Sequence, residues 1–222
     1  MAASNFASDG LLSTGAPLSM TALAQVIAGH IPGGSYVNLG IGQPTKIADY
    51  LDPASGVVLH TENGMLGMGP AAHGNDVDPD LTNAGKVPVT ALPGASYFHH
   101  ADSFAMMRGG HLDVCVLGAF QVSFRGDLAN WHAGGDRDIP AVGGAMDLAI
   151  GAKEVLVMMS LFDRHGNPKL VEECTYPLTG ARCVDRVYTD HGIVDLSDSG
   201  VPNIIATFGV SPTELTEQLG LR

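Results

Sequence analysis

Basic residues are scarce in this sequence. Eleven Lys and Arg stand against 23 Asp and Glu, which gives a formal net charge of −12. No run of the chain gathers these cations into a cluster. Because nucleic acids and anionic membrane surfaces are bound through basic patches, the charge argues against both as partners. An anionic ligand would have to be held locally, by backbone N–H groups or by single cations.

Cysteine is also rare. The three cysteines, Cys115, Cys174 and Cys183, form no CxxC pair. An odd and sparse set fits a reducing cytoplasm better than a disulfide framework, so we expect a cytoplasmic protein. Cys115 lies in an apolar run, where it is expected to be a small core residue.

Long apolar runs are absent. None approaches the roughly 20 residues needed to span a bilayer. The first residues lack the basic region and apolar core of a signal peptide. They are rich in Ala, Ser and Gly. We therefore predict a flexible N-terminal tail over residues 1–18 and one domain over residues 19–222.

Apolar residues are plentiful, at 45% of the chain. Several apolar runs show no alternation with polar residues, which is typical of strands covered on both faces. Segments with helical spacing lie between them, so the fold class predicted is α/β, with an open, mainly parallel sheet flanked by helices. The predicted strands are 36–42, 57–61, 87–94, 113–120 and 154–162; the predicted helices are 19–31, 44–51, 101–110 and 211–220; a hairpin is predicted within 183–208.

Glu62 is the most unusual residue in the pattern. The stretch VVLHTENGMLGMGP (57–70) places this carboxylate at the end of a predicted strand, followed by a turn studded with glycines. Ligands of open α/β sheets bind beyond the carboxyl ends of strands, where Gly40, Gly42 and the Gly94 turn are also expected. Glu62 could cap a helix or pair with an Arg, or it could act as a catalytic base or nucleophile. The glycines favour the second interpretation, since they allow a ligand to approach the backbone.

Other candidate sites have competing interpretations. Gly143 and Gly144 precede a predicted helix. They either form a simple entry into that helix or donate backbone hydrogen bonds to an oxyanion. Lys86 is either a solvated strand end or a phosphate contact. His99 and His100 are either turn residues or metal ligands, although neighbouring strand residues point to opposite faces. The Asp-rich stretch 75–80 lacks the Gly and Glu of a calcium loop.

Several motifs together resemble those of family I CoA-transferases. The stretch containing Glu62 is similar to the family's glutamate signature, although Thr61 stands where Ser is usual. Further motifs follow in the family's order over residues 19 to 195: NLGIGQPT, NAGK, SFAMMRGGHLD, LGAFQV, GDLANW, GGAMDL and ECTYPLTG. The chain is similar to the B (β) subunit of this family. Residues 98–135 look most like the branch in which succinyl-CoA donates CoA to 3-oxoadipate.

The resemblance implies a chemistry and roles for particular residues. Glu62 would be the nucleophile that carries CoA as a thioester, and the backbone near Gly143 would donate to the oxyanion. Lys86, Gly64, Gly67 and Gly144 would contact or make room for CoA. No metal or permanently bound cofactor is implied, since coenzyme A is a substrate.

The resemblance also implies a partner and leaves substrates open. A CoA-transferase A (α) subunit would complete the cleft, so we expect a hetero-oligomer that is inactive as the single chain. The alternatives are transfer to acetoacetate or another short acyl acid, an acyl-CoA hydrolase, and a non-catalytic subunit that binds acyl-CoA. The residues that bind the distal carboxylate of a 3-oxo acid acceptor, and the role of His99 and His100, are not indicated by the sequence.

Overall fold

The computed structural model describes residues 15–133, 142–197 and 199–221. The predicted tail therefore lies largely outside the described residues, as do Gly134 and Gly135 of the stretch 98–135. The described helices are α1 (Met20–His30), α2 (His100–Arg108), α3 (Ala145–Gly151) and α4 (Pro212–Gln218), with short 3-10 helices at Gln43–Tyr50, Pro53–Ser55 and Gly74–Asp76. The strands are β1 (Tyr36–Leu39), β2 (Val58–Thr61), β3 (Met65–Ala71), β4 (Val89–Tyr97), β5 (Val114–Leu117), β6 (Gln121–Ser123), β7 (Leu128–Ala129), β8 (Glu154–Met159), β9 (Leu170–Val171), β10 (Arg186–Thr189), β11 (Gly192–Asp195) and β12 (Asn203–Thr207).

A nine-stranded sheet in the order β12-β11-β10-β8-β5-β1-β2-β3-β4 forms the centre of the fold. Its inner strands, from β10 through β8, β5 and β1 to β2, pair in parallel. Both edges are antiparallel: β11 and β12 on one side, β3 and β4 on the other. The α/β prediction is confirmed, and the sheet is mixed, with its parallel part confined to the inner strands. A second, three-stranded sheet has the order β7-β6-β9.

The inner strands are buried on both faces, which explains their unbroken apolar sequences. In β8, Val155 and Val157 join one hydrophobic core, whereas Leu156 and Met158 join the other. This division follows from the two-residue period of a strand. The first core packs against α2, α3 and α4, and the second packs against α1. Cys115 is fully buried in the first core, as predicted.

The main error in the predicted elements concerns the glycines after Glu62. The expected glycine turn is limited to residues 62–64, and β3 begins at Met65. Gly67 has φ +80° and lies where the register between β3 and β4 shifts. A β-bulge accepts a positive φ at glycine. The strand therefore contains a glycine that the sequence pattern would place in a turn. The segment 44–51 is likewise a 3-10 helix, Gln43–Tyr50, rather than an α-helix.

The C-terminal elements agree with their sequence signals. Ser211 Oγ accepts a hydrogen bond from the Glu214 N–H, and the Glu214 carboxylate accepts one from the Ser211 N–H. This reciprocal pair is a capping box, whose Ser-x-x-Glu order is visible in the sequence, and it begins α4. The hairpin predicted within 183–208 is present as β10, β11 and β12. Within the described residues, no helix has both the length and the hydropathy to cross a membrane.

Candidate active site

A cavity of about 630 Å³ opens at the carboxyl ends of the parallel strands β1, β2, β5 and β8. The residue that directly follows each of these strands lines it: Gly40, Glu62, Gly118 and Ser160. The topology therefore brings Gly40 and Glu62 together, as expected for an open α/β sheet. Gly94 does not contribute, because β4 continues through it to Tyr97. Gly42 is also absent from the lining residues.

Glu62 is held in the tight turn between β2 and β3 and is partly buried. Burial raises the pKa of its carboxyl group, the charge of His100 opposes this rise, and the charge of Asp147 adds to it. Among the described residues, no Lys, Arg or His nitrogen lies within 4.0 Å of this carboxylate. In this part of the chain Glu62 is thus neither an ion-pair partner nor a helix cap, and its raised pKa makes the ionised form a better nucleophile.

Gly144 is in direct contact with Glu62. A Cβ atom at position 144 would overlap the Oε2 atom of Glu62, and it would lie 3.3 Å from the ring of Phe104. The backbone of Gly144 is unstrained, with φ −83°. Glycine is needed here because the carboxylate approaches the backbone closely.

Gly143 differs from its neighbour. It has φ +50°, and a Cβ atom at this position would meet nothing within 4 Å. The position crowded by protein atoms is therefore Gly144, and the role of the Gly143 backbone as an oxyanion donor stays a prediction. Both residues line the cavity, and neither backbone N–H donates a hydrogen bond to another described residue.

A buried polar network holds the strand end that carries Glu62. Asn38 Nδ2 donates to the His60 carbonyl at 3.1 Å and lies 2.9 Å from His60 Nδ1. Because an amide nitrogen only donates, Nδ1 accepts and the His60 proton resides on Nε2, which is 2.9 Å from Ser103 Oγ. Ser103 Oγ in turn donates to the Thr61 carbonyl at 3.1 Å. Burial lowers the pKa of His60 to about 4, so this histidine is neutral at pH 7.

This network was missed by the sequence analysis. The histidine in the apolar stretch VVLHT was its only visible signal. Ser103 lies on α2, and its contact with His60 depends on how that helix packs against β2. The network fixes the peptide group immediately before Glu62, and it therefore orients the carboxylate through the backbone.

Gly64 and Gly67 do not line the cavity. A Cβ at Gly64 would collide with the carbonyl oxygen of Phe98, and one at Gly67 would lie 3.0 Å from the Cα of Ala95. These two glycines therefore let β4 and the chain after it approach the hairpin closely. This packing requirement accounts for both glycines within the chain, and the expectation that they leave room for CoA stays a prediction.

Lys86 lies next to the lining residues rather than among them. Asn83, Ala84 and Gly85 line the cavity, and Lys86 follows them with an exposed side chain. Its φ is +63°, an uncommon conformation for a residue with a Cβ. The turn is closed by a hydrogen bond of 2.9 Å from the Lys86 N–H to the Asn83 carbonyl. The backbone of Lys86, from which the side chain extends, is therefore fixed near the cavity rim.

His99 and His100 have separate surroundings. His99 Nδ1 accepts a hydrogen bond from the Ala101 N–H and caps α2. His100 packs against Phe104 at a ring distance of 4.7 Å and acts electrostatically on Glu62. Across residues 15–133, 142–197 and 199–221, no group of three or more His, Cys, Asp and Glu side chains is arranged to hold a metal ion.

Comparison with known proteins identifies the class. The family model described as "Coenzyme A transferase" matches residues 20–212, so the chain belongs to the coenzyme A transferase family. The resemblance drawn from the motifs is thereby confirmed, and with it the enzyme class, a CoA-transferase.

Two relatives are similar over nearly their whole length. The B subunit of 3-oxoadipate CoA-transferase from Acinetobacter baylyi is 56% identical over 203 residues, covering 91% of this chain and 94% of the relative. The protein of the same name from Pseudomonas putida is 55% identical over 204 residues, covering 92% and 95%. Among solved structures, an acyl-CoA transferase from Escherichia coli O157:H7 has a TM-score of 0.67 at 18% identity, covering 91% of this chain and 40% of that one. At this identity the likeness shows the fold alone.

Proposed function

We propose that this chain, together with an A subunit, transfers CoA from succinyl-CoA to 3-oxoadipate. The observation that carries the proposal is an unpaired, partly buried Glu62 inside the cavity of a chain 56% identical to the B subunit of a 3-oxoadipate CoA-transferase. Succinyl-CoA is activated at one carboxyl group as a thioester, and 3-oxoadipate is a free acid that receives this activation. The enzyme must exchange that activation without losing it to water.

Covalent catalysis by Glu62 meets this requirement. The carboxylate attacks the thioester carbonyl of succinyl-CoA, and the CoA thiolate leaves, which gives a mixed anhydride. The thiolate then attacks the glutamyl carbonyl, releasing succinate and leaving CoA bound to Glu62 as a thioester. The acceptor carboxylate attacks this thioester and the same steps run in reverse. One difficult exchange becomes a series of easier ones.

The tetrahedral intermediates need hydrogen-bond donors, and the backbone N–H of Gly143 is assigned this role. It lines the cavity, and it donates to no other described residue. One such donor typically contributes about 2.7–4 kcal/mol to transition-state stabilisation. Gly144 supports the site by allowing the carboxylate to lie against the backbone. In this proposal the CoA contacts come from Gly144 and, at the rim, from Lys86.

An A subunit would close the cavity. Ile41 and Phe120 line it and are 62% and 43% exposed, and Met146 and Ile150 of the adjacent α3 are 49% and 67% exposed. Large apolar side chains around a polar site mark a surface that another protein covers. Both relatives are named as B subunits. Covering would exclude water from the anhydride and the thioester, so the single chain should be inactive. Cytoplasmic localisation fits this chemistry.

The proposal is tested by co-expressing the chain with its A subunit and measuring transfer from succinyl-CoA to a set of acceptors. The expected result is a higher kcat/KM with 3-oxoadipate than with acetoacetate, and little CoA release when no acceptor is present. A higher kcat/KM with acetoacetate would indicate that the acceptor is a short acyl acid other than 3-oxoadipate. Rapid CoA release without acceptor would indicate a hydrolase.

A further inference from the structure

Lys169 is a cation inside the cavity that the proposed mechanism does not use. Its backbone N–H donates to the Leu161 carbonyl at 2.8 Å, and its own carbonyl accepts from the Val122 N–H at 2.9 Å. The residue is thereby anchored where the chain enters β9, and it lines the cavity. Among the lining residues that the structure describes, it is the only Lys or Arg.

The charge of Lys169 is incompletely compensated. Burial lowers the pKa of its ammonium group, and Asp190 and Asp163 partly oppose this at a distance. No carboxylate of the described residues lies within 4.0 Å of Nζ. Both neighbouring carboxylates already accept other hydrogen bonds, Asp190 from the Leu161 N–H and Asp163 from the N–H of Asn167. A partly buried ammonium without an ion-pair partner costs free energy that a bound anion would recover.

Lys169 and Glu62 belong to different parts of the cavity. Glu62 follows β2, whereas the Lys169 N–H is hydrogen-bonded to Leu161 just after β8, and the strands β5 and β1 lie between β8 and β2 in the sheet. The cavity thus offers a nucleophile in one place and an unpaired cation in another. A ligand that satisfies both carries a reacting carboxyl group and a second, unreactive carboxylate.

We propose that Lys169 binds the distal carboxylate of the succinyl group and of the dicarboxylic acceptor, and so selects dicarboxylic over monocarboxylic acids. This inference rests on the proposed function and names the residue that recognises its substrate class. Selection arises because a monocarboxylic acid would leave the buried ammonium unpaired.

The first test compares acceptors that differ only at the distal end. In the complete enzyme, Lys169→Met should raise the KM for 3-oxoadipate about 10- to 100-fold, the range expected for a hydrogen bond between charged groups. It should change the KM for 3-oxohexanoate, in which a methyl group replaces the distal carboxylate, less than about 3-fold. Lys169→Arg should retain part of the preference.

Lys153→Met is the matched control. Lys153 pairs with Asp113 at 2.7 Å and precedes β8, at the opposite end of the strand from the cavity. Its replacement removes the same charge from the chain, and it should leave the acceptor preference unchanged. An equal loss with both acceptors in Lys169→Met, or an equal loss with succinyl-CoA and butyryl-CoA as donors, would overturn the inference and indicate a contact with CoA or with the fold.

A binding measurement separates this inference from the proposed function. Succinate should bind the complete enzyme more tightly than butyrate in calorimetry, and Lys169→Met should abolish the difference. Failure of the wild-type enzyme to use 3-oxoadipate would overturn the proposed function, while the preference for succinate would still decide the role of Lys169. Equal binding of succinate and butyrate by the wild type, or a preference that survives in Lys169→Met, would overturn the inference about Lys169.

Discussion

The two antiparallel edges of the main sheet use their polar groups differently. At the β10–β11 edge, the Arg186 guanidinium pairs with Asp195 on the neighbouring strand through two hydrogen bonds, one of them 3.1 Å long. The Tyr188 side chain is fully buried, and its hydroxyl lies 3.1 Å from His30 Nδ1. The charged pair at this edge is satisfied within the chain, whereas His191 Nδ1 and Thr207 Oγ1 are buried without a hydrogen-bond partner among the described residues.

The β2–β3–β4 edge differs because it leaves a charged group without an ion-pair partner. Glu62 has no ion-pair partner among the described residues, and Thr61 Oγ1 is buried without a hydrogen-bond partner there. The pairing of β3 with β4 is interrupted by two register shifts. Functional sites often retain local features that reduce stability. The comparison indicates that one edge stabilises the sheet and the other positions the reactive carboxylate, and the two should respond differently to substitution.

Glu62→Gln should have the largest effect. Removing the nucleophile is expected to lower kcat by roughly 10³-fold or more. Because burial raises the pKa of Glu62, its ionised form destabilises the fold above that pKa, and the neutral amide removes this cost. The melting temperature at pH 7 should therefore be no lower than that of the wild type. A clear fall in melting temperature would mean that Glu62 is a structural residue.

Gly144→Ala and Gly143→Ala form a matched pair on the other wall of the site. The methyl group at 144 would overlap the Glu62 carboxylate and displace it, which should lower kcat about 100-fold. The methyl group at 143 has open space, and its positive φ should cost about 1–2 kcal/mol of stability with a smaller loss of kcat. Steady-state kinetics and thermal unfolding of both variants check this. If Gly143→Ala lowered kcat more than Gly144→Ala, the crowded position would be Gly143.

Arg186→Met tests the stabilising edge. It leaves Asp195 without its partner, and we expect a loss of about 1–3 kcal/mol in the free energy of unfolding. The kcat per folded enzyme should stay unchanged, since the pair lies away from the cavity. Denaturant unfolding and active-site titration measure the two quantities. Asp195→Asn combined with Arg186→Met should cost less than the sum of the single changes. A fall in kcat would remove the distinction between the edges.

Thr61→Val should have the smallest effect. It exchanges an unpartnered buried hydroxyl for a methyl group of similar size, so the free energy of unfolding should rise by up to about 1 kcal/mol. Thr61→Ser is the control, because it keeps the hydroxyl and loses the methyl group. Activity should survive both changes. A large loss of kcat in Thr61→Val alone would show that the hydroxyl serves the reaction.

The elements that the sequence predicted well are those with a strong local or periodic signal. The unbroken apolar runs marked β5 and β8, and Ser211 and Glu214 marked the start of α4. The glycines after Glu62 were misinterpreted because positive φ occurs in bulged strands as well as in turns. Contacts between distant segments were not predictable, since the place of Lys169 in the cavity and of Ser103 beside His60 depends on how separate elements pack.

The most direct test of the account is chemical trapping of Glu62. The complete enzyme is incubated with succinyl-CoA, treated with borohydride and digested for peptide mapping. A thioester is reduced to the alcohol, whereas a free carboxylate is not. We predict a reduced Glu62 that appears only with succinyl-CoA and is missing from the Glu62→Gln variant. An active enzyme in which Glu62 stays unmodified, or in which another side chain carries the reduction, would contradict the account.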